Sequence, residues 1–287
     1  MHPAPSVIAF TTLSGMGFGL LFFLGLGHPS PGGWPAFFWW GLGYGLAVAG
    51  LLASTFHLGN RRNAVKGFSQ WRTSWLSREA WGSVATLLIL APVALSDWLG
   101  LGWSRHIGQL GAVLAVGTVF TTSMIYAQLK TVPRWHHWTT PALFLGCALT
   151  GGAILAGHPG LGAVSSLALA ALLAFAFQDG DSRFARAGQN TGTATGLGAI
   201  GTVKVFEQPH TSPNYLMREM IHVVGRKHAL RLRRIALALI MLAGLTTLLP
   251  GPAMVLAALL HLAGALTARW LFFAEAEHVV GLFYGRR

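Results

Sequence analysis

The charged residues of this chain sit between long apolar segments, and that spacing limits what it can fold into. No Lys, Arg, Asp or Glu occurs before Arg61, and residues 61–79 then carry Arg61, Arg62, Lys66, Arg72, Arg78 and Glu79. A run of about 18 apolar residues can span a hydrocarbon core roughly 30 Å thick. Backbone groups in hydrocarbon must be hydrogen-bonded internally, so such runs predict helices. Eight segments qualify: Pro5–Leu26, Ala36–Leu58, Ala80–Asp97, Ile107–Leu129, Thr139–Gly157, Leu161–Gln178, Ile235–Pro250 and Ala253–Phe273. The seventh is short, and Pro250-Gly251-Pro252 predicts a tight turn between it and the eighth. A soluble helical protein would need polar outer faces, which these segments lack. The expected fold class is all-α: a polytopic membrane protein of eight transmembrane helices, forming a single integral membrane domain over residues 1–287.

The basic residues set the orientation. Assigning termini and gaps alternately puts Arg61, Arg62, Lys66, Arg72, Arg78, Lys130, Arg134, nine basic residues from Arg183 to Arg234, Arg286 and Arg287 on one side, and only Arg105 on the other. Positive loops stay in the cytoplasm, so both termini are expected there. The turns at His28–Pro35, Leu99–His106, His158–Gly160 and Gly251 then face outward. Residues 179–234 form a long cytoplasmic loop. Its last part, Tyr215–Arg234, mixes apolar and basic positions at helical spacing and predicts an interfacial helix. Gln189–Gly201, rich in Gly and Thr, reads as irregular, and an extended stretch with Phe206 follows. The net charge of +12 is explained by orientation and lipid headgroups, with no nucleic-acid partner. The opening MHPAPSVIAF has no positive n-region and no small-residue cleavage site, so the first segment is read as a retained span.

Small residues run through the first two spans, at Ser14, Gly15, Gly17 and Gly19 and at Gly41, Gly43, Gly45 and Gly50. In lipid, close approach at such positions supplies the packing. Trp39, Trp40, Trp81, Trp98, Trp103, Trp135 and Trp138 fall near span ends, where aromatic belts form.

Few residues are suited to chemistry. The single Cys147 permits no intrachain disulfide and no iron–sulfur cluster held by several thiolates. Twelve histidines invite a haem reading, but a bis-histidine haem needs two imidazoles on facing helices at similar depth. His57 lies near the end of span two and His261 within span eight. His28, His106 and His158 belong to the other face, and His136 and His137 are adjacent. No pair fits, so no haem is expected, and His261 reads as a polar contact between helices. His57 and Glu79 lie where the basic loop leaves span two and enters span three, so both side chains can reach one pocket. Glu79 suits proton movement there. Equally, it suits pairing with Arg78 or Arg72 to orient the loop. A transporter would want ionisable groups in mid-membrane and an inverted repeat. Only His261 and Arg269 hint at the first, and no repeat is visible.

Five stretches carry a resemblance: FTTLSG at Phe10–Gly15, STFHLGNRRNAVKGFSQWRTSWLSREA at Ser54–Ala80, YAQLKTVPRW at Tyr126–Trp135, TTP at Thr139–Pro141 and SPNYLMREMIHVVGRKHALRLR at Ser212–Arg233. On these the chain resembles the DmsC family, the membrane anchor subunits of dimethyl sulfoxide reductase-type molybdoenzymes, and within it the anchors of cytoplasmic sulfite dehydrogenases. Asn60-Arg61-Arg62 departs from the more usual pattern containing proline. The resemblance implies a bacterial inner-membrane subunit of eight helices without haem. It also implies two partners, a molybdopterin catalytic subunit and an iron–sulfur subunit whose clusters exchange electrons with the quinone pool. The histidine of the HLG motif, here His57, is implied in quinone handling.

The expected function is to anchor such a complex and pass electrons from sulfite oxidation to ubiquinone or menaquinone. The alternative is quinol oxidation feeding a dimethyl sulfoxide reductase. The expected quinone site comprises His57 as partner of a quinone oxygen and Glu79 as proton relay. Arg78 or Arg72 would stabilise developing charge, and Trp75 and Tyr126 would line the slot. The loops Asn60–Glu79, Lys130–Trp138 and Pro213–Arg233 are the expected docking surface for the iron–sulfur subunit, since aromatics and Arg are enriched at interfaces.

Overall fold

Proline near the first turn starts three of the long helices, α1 (Pro5–Gly25), α2 (Trp34–Thr55) and α6 (Pro159–Arg186). Its fixed φ suits that turn, where its missing N–H has no partner to lose. The computed structural model describes residues 1–56, 61–103, 105–207, 209–210, 212, 214–221 and 227–285. The remaining helices are α3 (Trp75–Leu99), α4 (Arg105–Ala127), α5 (Thr139–Leu155), the short α7 (Thr191–Thr195), α8 (Ala229–Thr246) and α9 (Ala253–Ala274). Among the described residues there is no strand, so the all-α expectation holds.

Each expected span contains one long helix. Six of them, α1, α2, α3, α4, α6 and α9, are long and apolar enough to cross a membrane. α5 is apolar but has only 17 residues, and α8 carries Arg231, Arg233 and Arg234 in its first turns. The outer faces are apolar, with Leu88, Val113, Val164, Leu167, Leu245 and Leu259 all exposed. Water does not reward that pattern, whereas lipid tolerates it.

α1 runs through the middle of the bundle and touches α2, α4, α5 and α9. Its glycines make this possible. Gly17 lies against the backbone of Gly43 and Ala47 in α2, Gly19 against Ala148 and Gly152 in α5, and Gly25 against Gly108 in α4. A methyl group at any of the three would overlap backbone atoms. Gly41 and Gly45, read with the same packing stripe, instead have nothing within 4 Å of an added methyl. Two of the tryptophans assigned to the belts are core residues. Trp40 is buried and donates to Asp97 at 3.1 Å, and Trp135 is buried and donates from Nε1 to Phe272 O at 2.8 Å.

The two ends of the bundle are closed differently. At one, Asp97 accepts from Trp40 and pairs with Arg105 at 3.3 Å. At the other, basic end, the Met1 ammonium donates to Ala276 O at 2.8 Å, which joins the start of α1 to the segment after α9.

The long loop is more ordered than expected. α6 continues two turns beyond Gln178, to Arg186. Within the stretch read as irregular, Asn190 caps α7 through reciprocal bonds with Thr193, at 2.9 Å each. Of the interfacial helix expected over Tyr215–Arg234, a π-helical turn at Leu216–Met220 and the opening of α8 are described, and residues 222–226 lie outside the described residues. Phe206 is fully exposed.

Candidate functional site

The basic loop before α3 is stapled onto the helix it precedes. Ser77 donates to Gly67 O, and Trp81 Nε1 donates to Phe68 O at 3.0 Å. This places Glu79, one turn into α3, against α4, where it is 4% exposed. Thr122 Oγ1 donates to Glu79 Oε1 at 2.9 Å. Among the described residues Glu79 forms no ion pair. Tyr126 lies one turn beyond Thr122 on α4, within electrostatic reach of both Glu79 and Arg269. Its ring packs among Trp135, Phe144, Phe272 and Phe273, with centroids 5.3–5.6 Å away.

The two candidate arginines make their contacts within the loop. Arg78 donates from Nε to Trp71 O at 3.1 Å and from Nη2 to Arg72 O at 2.6 Å, and its guanidinium covers the Trp75 ring at 4.3 Å. Arg72 lies over Trp71 at 5.5 Å and is exposed. The pairing of Glu79 with Arg78 or Arg72, one of the two readings of that carboxylate, is therefore not the arrangement found. Trp75 meets Phe120 of α4 edge to face at 6.2 Å. His57 lies outside the described residues, and α2 leads up to its position through Phe56. Glu79, Thr122 and Trp75 thus share the α3–α4 interface, Tyr126 lies on the inner side of α4 within electrostatic reach of Glu79, and Arg72 and Arg78 shape the loop.

A carboxyl held by one hydroxyl in apolar surroundings can take up or release a proton without breaking an ion pair. Trp75 and Phe120 add an aromatic contact between the same two helices. Glu79, Thr122, Trp75 and Phe120 are the residues that would hold a quinone at this interface.

A second cluster was not anticipated from the sequence. Arg134 pairs with Asp181 at 2.5 Å and with Glu275 at 3.3 Å, and Arg233 pairs with Asp181 at 2.5 Å and with Glu275 at 2.6 Å. The four form a closed ring joining the loop after α4, the end of α6, the start of α8 and the segment after α9. Beside it, Arg183 pairs with Asp179 and donates to Arg134 O at 3.1 Å. A signal existed. The chain has only eight acidic residues, and three of them, Asp179, Asp181 and Glu275, lie at span edges on the same side as most of the arginines. His261, read as an interhelical contact, donates from Nε2 to Cys147 O at 3.1 Å.

The model of the DMSO reductase anchor subunit family (DmsC) matches residues 42–285. The chain belongs to the DmsC family. A sulfite dehydrogenase subunit of Allochromatium vinosum is 32% identical to it over 330 aligned residues, covering 99% of this chain and 99% of that protein. With its apolar helices, this DmsC-family chain is a multi-pass membrane protein, the anchor of a molybdoenzyme complex with catalytic and electron-transfer partner subunits.

Proposed function

We propose that this chain is the quinone-binding anchor of a sulfite-oxidising complex, with its quinone site at the α3–α4 interface beneath the basic loop. The observation that carries the reading is the buried Glu79, held by Thr122 and free of ion pairs among the described residues. The near full-length similarity to a sulfite dehydrogenase subunit supports the substrate.

A quinone, when bound, accepts two electrons and two protons. The chain's own residues would hold and protonate it. Trp75 and Phe120 flank the ring, and His57 donates a hydrogen bond to one oxygen. Glu79 passes protons, set in place by Thr122. Tyr126 fixes the inner wall and gives Glu79 a polar neighbour. Arg78 and Arg72 hold the loop over the site and add positive potential, and neither is the direct partner of Glu79. The partners are a molybdopterin subunit, which converts sulfite and water to sulfate with release of two electrons and two protons, and an iron–sulfur subunit. The latter docks on Trp71 and its neighbouring loop, on Lys130–Trp138 and on Pro213–Arg233.

All eight long helices cross the bilayer in this reading, including α5 and α8. The charge ring supports it. Arg134 precedes α5 and Asp181 ends α6, yet they touch, so α5 and α6 leave and return to the same end. Arg233 in α8 and Glu275 after α9 touch as well, so α8 and α9 do the same. At the opposite end Thr247 donates to Pro159 O at 2.9 Å. The basic end faces the cytoplasm by the positive-inside rule, within a bacterial inner membrane.

The family description names a reductase, which favours the reverse flow from quinol as the second reading. Labelling by a photoreactive quinone tests the site under both flows. It is expected to fall on peptides of α3 and α4 and to weaken in His57→Ala. Labelling confined to other helices would refute the assignment. Sulfite-dependent quinone reduction by the purified complex separates the two readings.

A further inference from the structure

Arg269 lies five residues before the end of α9 and is 4% exposed. One face of its guanidinium rests on the Phe144 ring, 3.5 Å from the centroid. Its Nε is buried with no hydrogen-bond partner. The group borders a cavity of about 40 Å³ between α5, α6 and α9, bounded also by Arg134, Thr140, Cys147, Phe177 and Glu275.

The charges around this cavity do not balance. Glu275 is bound to Arg233 and Arg134, and Asp181 to the same two arginines. The cavity itself is lined by two guanidiniums, Arg134 and Arg269, and one carboxylate, Glu275. Glu277 borders the neighbouring outer hollow, with Arg134 and Arg233. The other groups near Arg269 are the Tyr126 phenol and the Cys147 thiol, both neutral in their ordinary protonation state near pH 7. Thr140 already spends its hydroxyl proton on Trp135 O at 2.7 Å. A buried cation without a counter-charge is strongly disfavoured, above all inside a membrane protein. The cavity has room for one small ion or for about three to four waters, at about 10–15 Å³ per water.

We propose that Arg269 binds a small inorganic anion of the halide class in the cavity between α5, α6 and α9. The Arg269 and Arg134 guanidiniums supply the donors, and the apolar lining of Phe177 and Phe272 favours a weakly hydrated monovalent ion. The anion completes the charge balance beneath the ring and helps lock α9 to α5 and α6.

The test uses the purified complex exchanged into sodium gluconate and titrated with sodium bromide at constant ionic strength. A saturable rise in the thermal midpoint of roughly 2–4 °C is expected for the wild type, with none in Arg269→Gln. Crystals grown in bromide are expected to show an anomalous peak beside the Arg269 guanidinium. A wild-type midpoint that does not respond, an equal response in Arg269→Gln, or a cavity holding water alone would overturn the proposal. If Arg269→Gln does not assemble, the wild-type anomalous map decides, and Arg269→Lys, which keeps the charge, is expected to retain the bromide response in weakened form.

Discussion

Thr122 Oγ1 donates to Glu79 Oε1 at 2.9 Å, across the interface of α4 and α3. The same hydroxyl also lies 3.0 Å from Thr118 O, so its position is set by its own helix as well as by the carboxyl. Thr122 therefore acts as a positioning residue. Replacing it with Val keeps the shape and removes the donor. A hydrogen bond to a charged group is worth about 1.5–3 kcal/mol, so quinone-coupled turnover is expected to fall about tenfold or more. Thr122→Ser is expected to restore most of it. Turnover with a soluble artificial acceptor serves as the control, and a merely structural residue would lower both rates together.

The charge ring predicts a rank order. Glu275 is 5% exposed and its partners Arg134 and Arg233 are 15% and 14% exposed, whereas Asp181 is 52% exposed. Glu275→Gln leaves buried guanidiniums short of a carboxylate and is expected to destabilise the fold by about 3 kcal/mol or more. Asp181→Asn is expected to cost about 1 kcal/mol or less, because water screens that group. Thermal unfolding of the two variants in detergent measures the difference. Equal losses would mean that the ring does not act as the buried clamp described.

Glycine positions divide sharply. Gly19→Leu drives a side chain into the backbone of α5 and is expected to cost about 3 kcal/mol or more, or to prevent assembly. Gly41→Leu meets open space, and a change of about 0.5 kcal/mol or less is expected. Membrane levels of the two variants, compared by immunoblot, check this.

Trp71 is exposed and Trp75 partly so, at the start of α3. Changing both to Ala is expected to release the soluble subunits from membranes while the anchor itself remains inserted. Fractionation reads this directly, and full retention of the soluble subunits would rule out this docking surface.

Most of the fold was legible in the sequence because hydrocarbon allows so few structures. Uninterrupted apolar runs such as Pro5–Gly25 leave only the helix. What the runs did not convey was which small residues touch. Gly17 and Gly41 look alike in sequence, and only the rotation of α2 around α1 separates them. Glu79 was legible because a carboxylate at a span boundary stands out. The contacts of Arg72 and Arg78 were not, since their partners are backbone carbonyls and rings of their own loop, which leave no mark in the residue pattern. The ring of Arg134, Asp181, Arg233 and Glu275 joins four segments up to 141 positions apart, from Arg134 to Glu275. Its members are individually ordinary, and their meeting depends on how the helices are arranged.

Glu79 is the residue on which the proposed quinone reaction turns. The most direct measurement is sulfite-dependent quinone reduction by the purified three-subunit complex in vesicles, wild type against Glu79→Gln, with a soluble artificial acceptor assayed in parallel. Loss of a positioned proton-transfer group lowers rates by about 10²-fold or more. A quinone-coupled loss of that size is expected, with the artificial-acceptor rate preserved. Quinone reduction by assembled Glu79→Gln at the wild-type rate would contradict it.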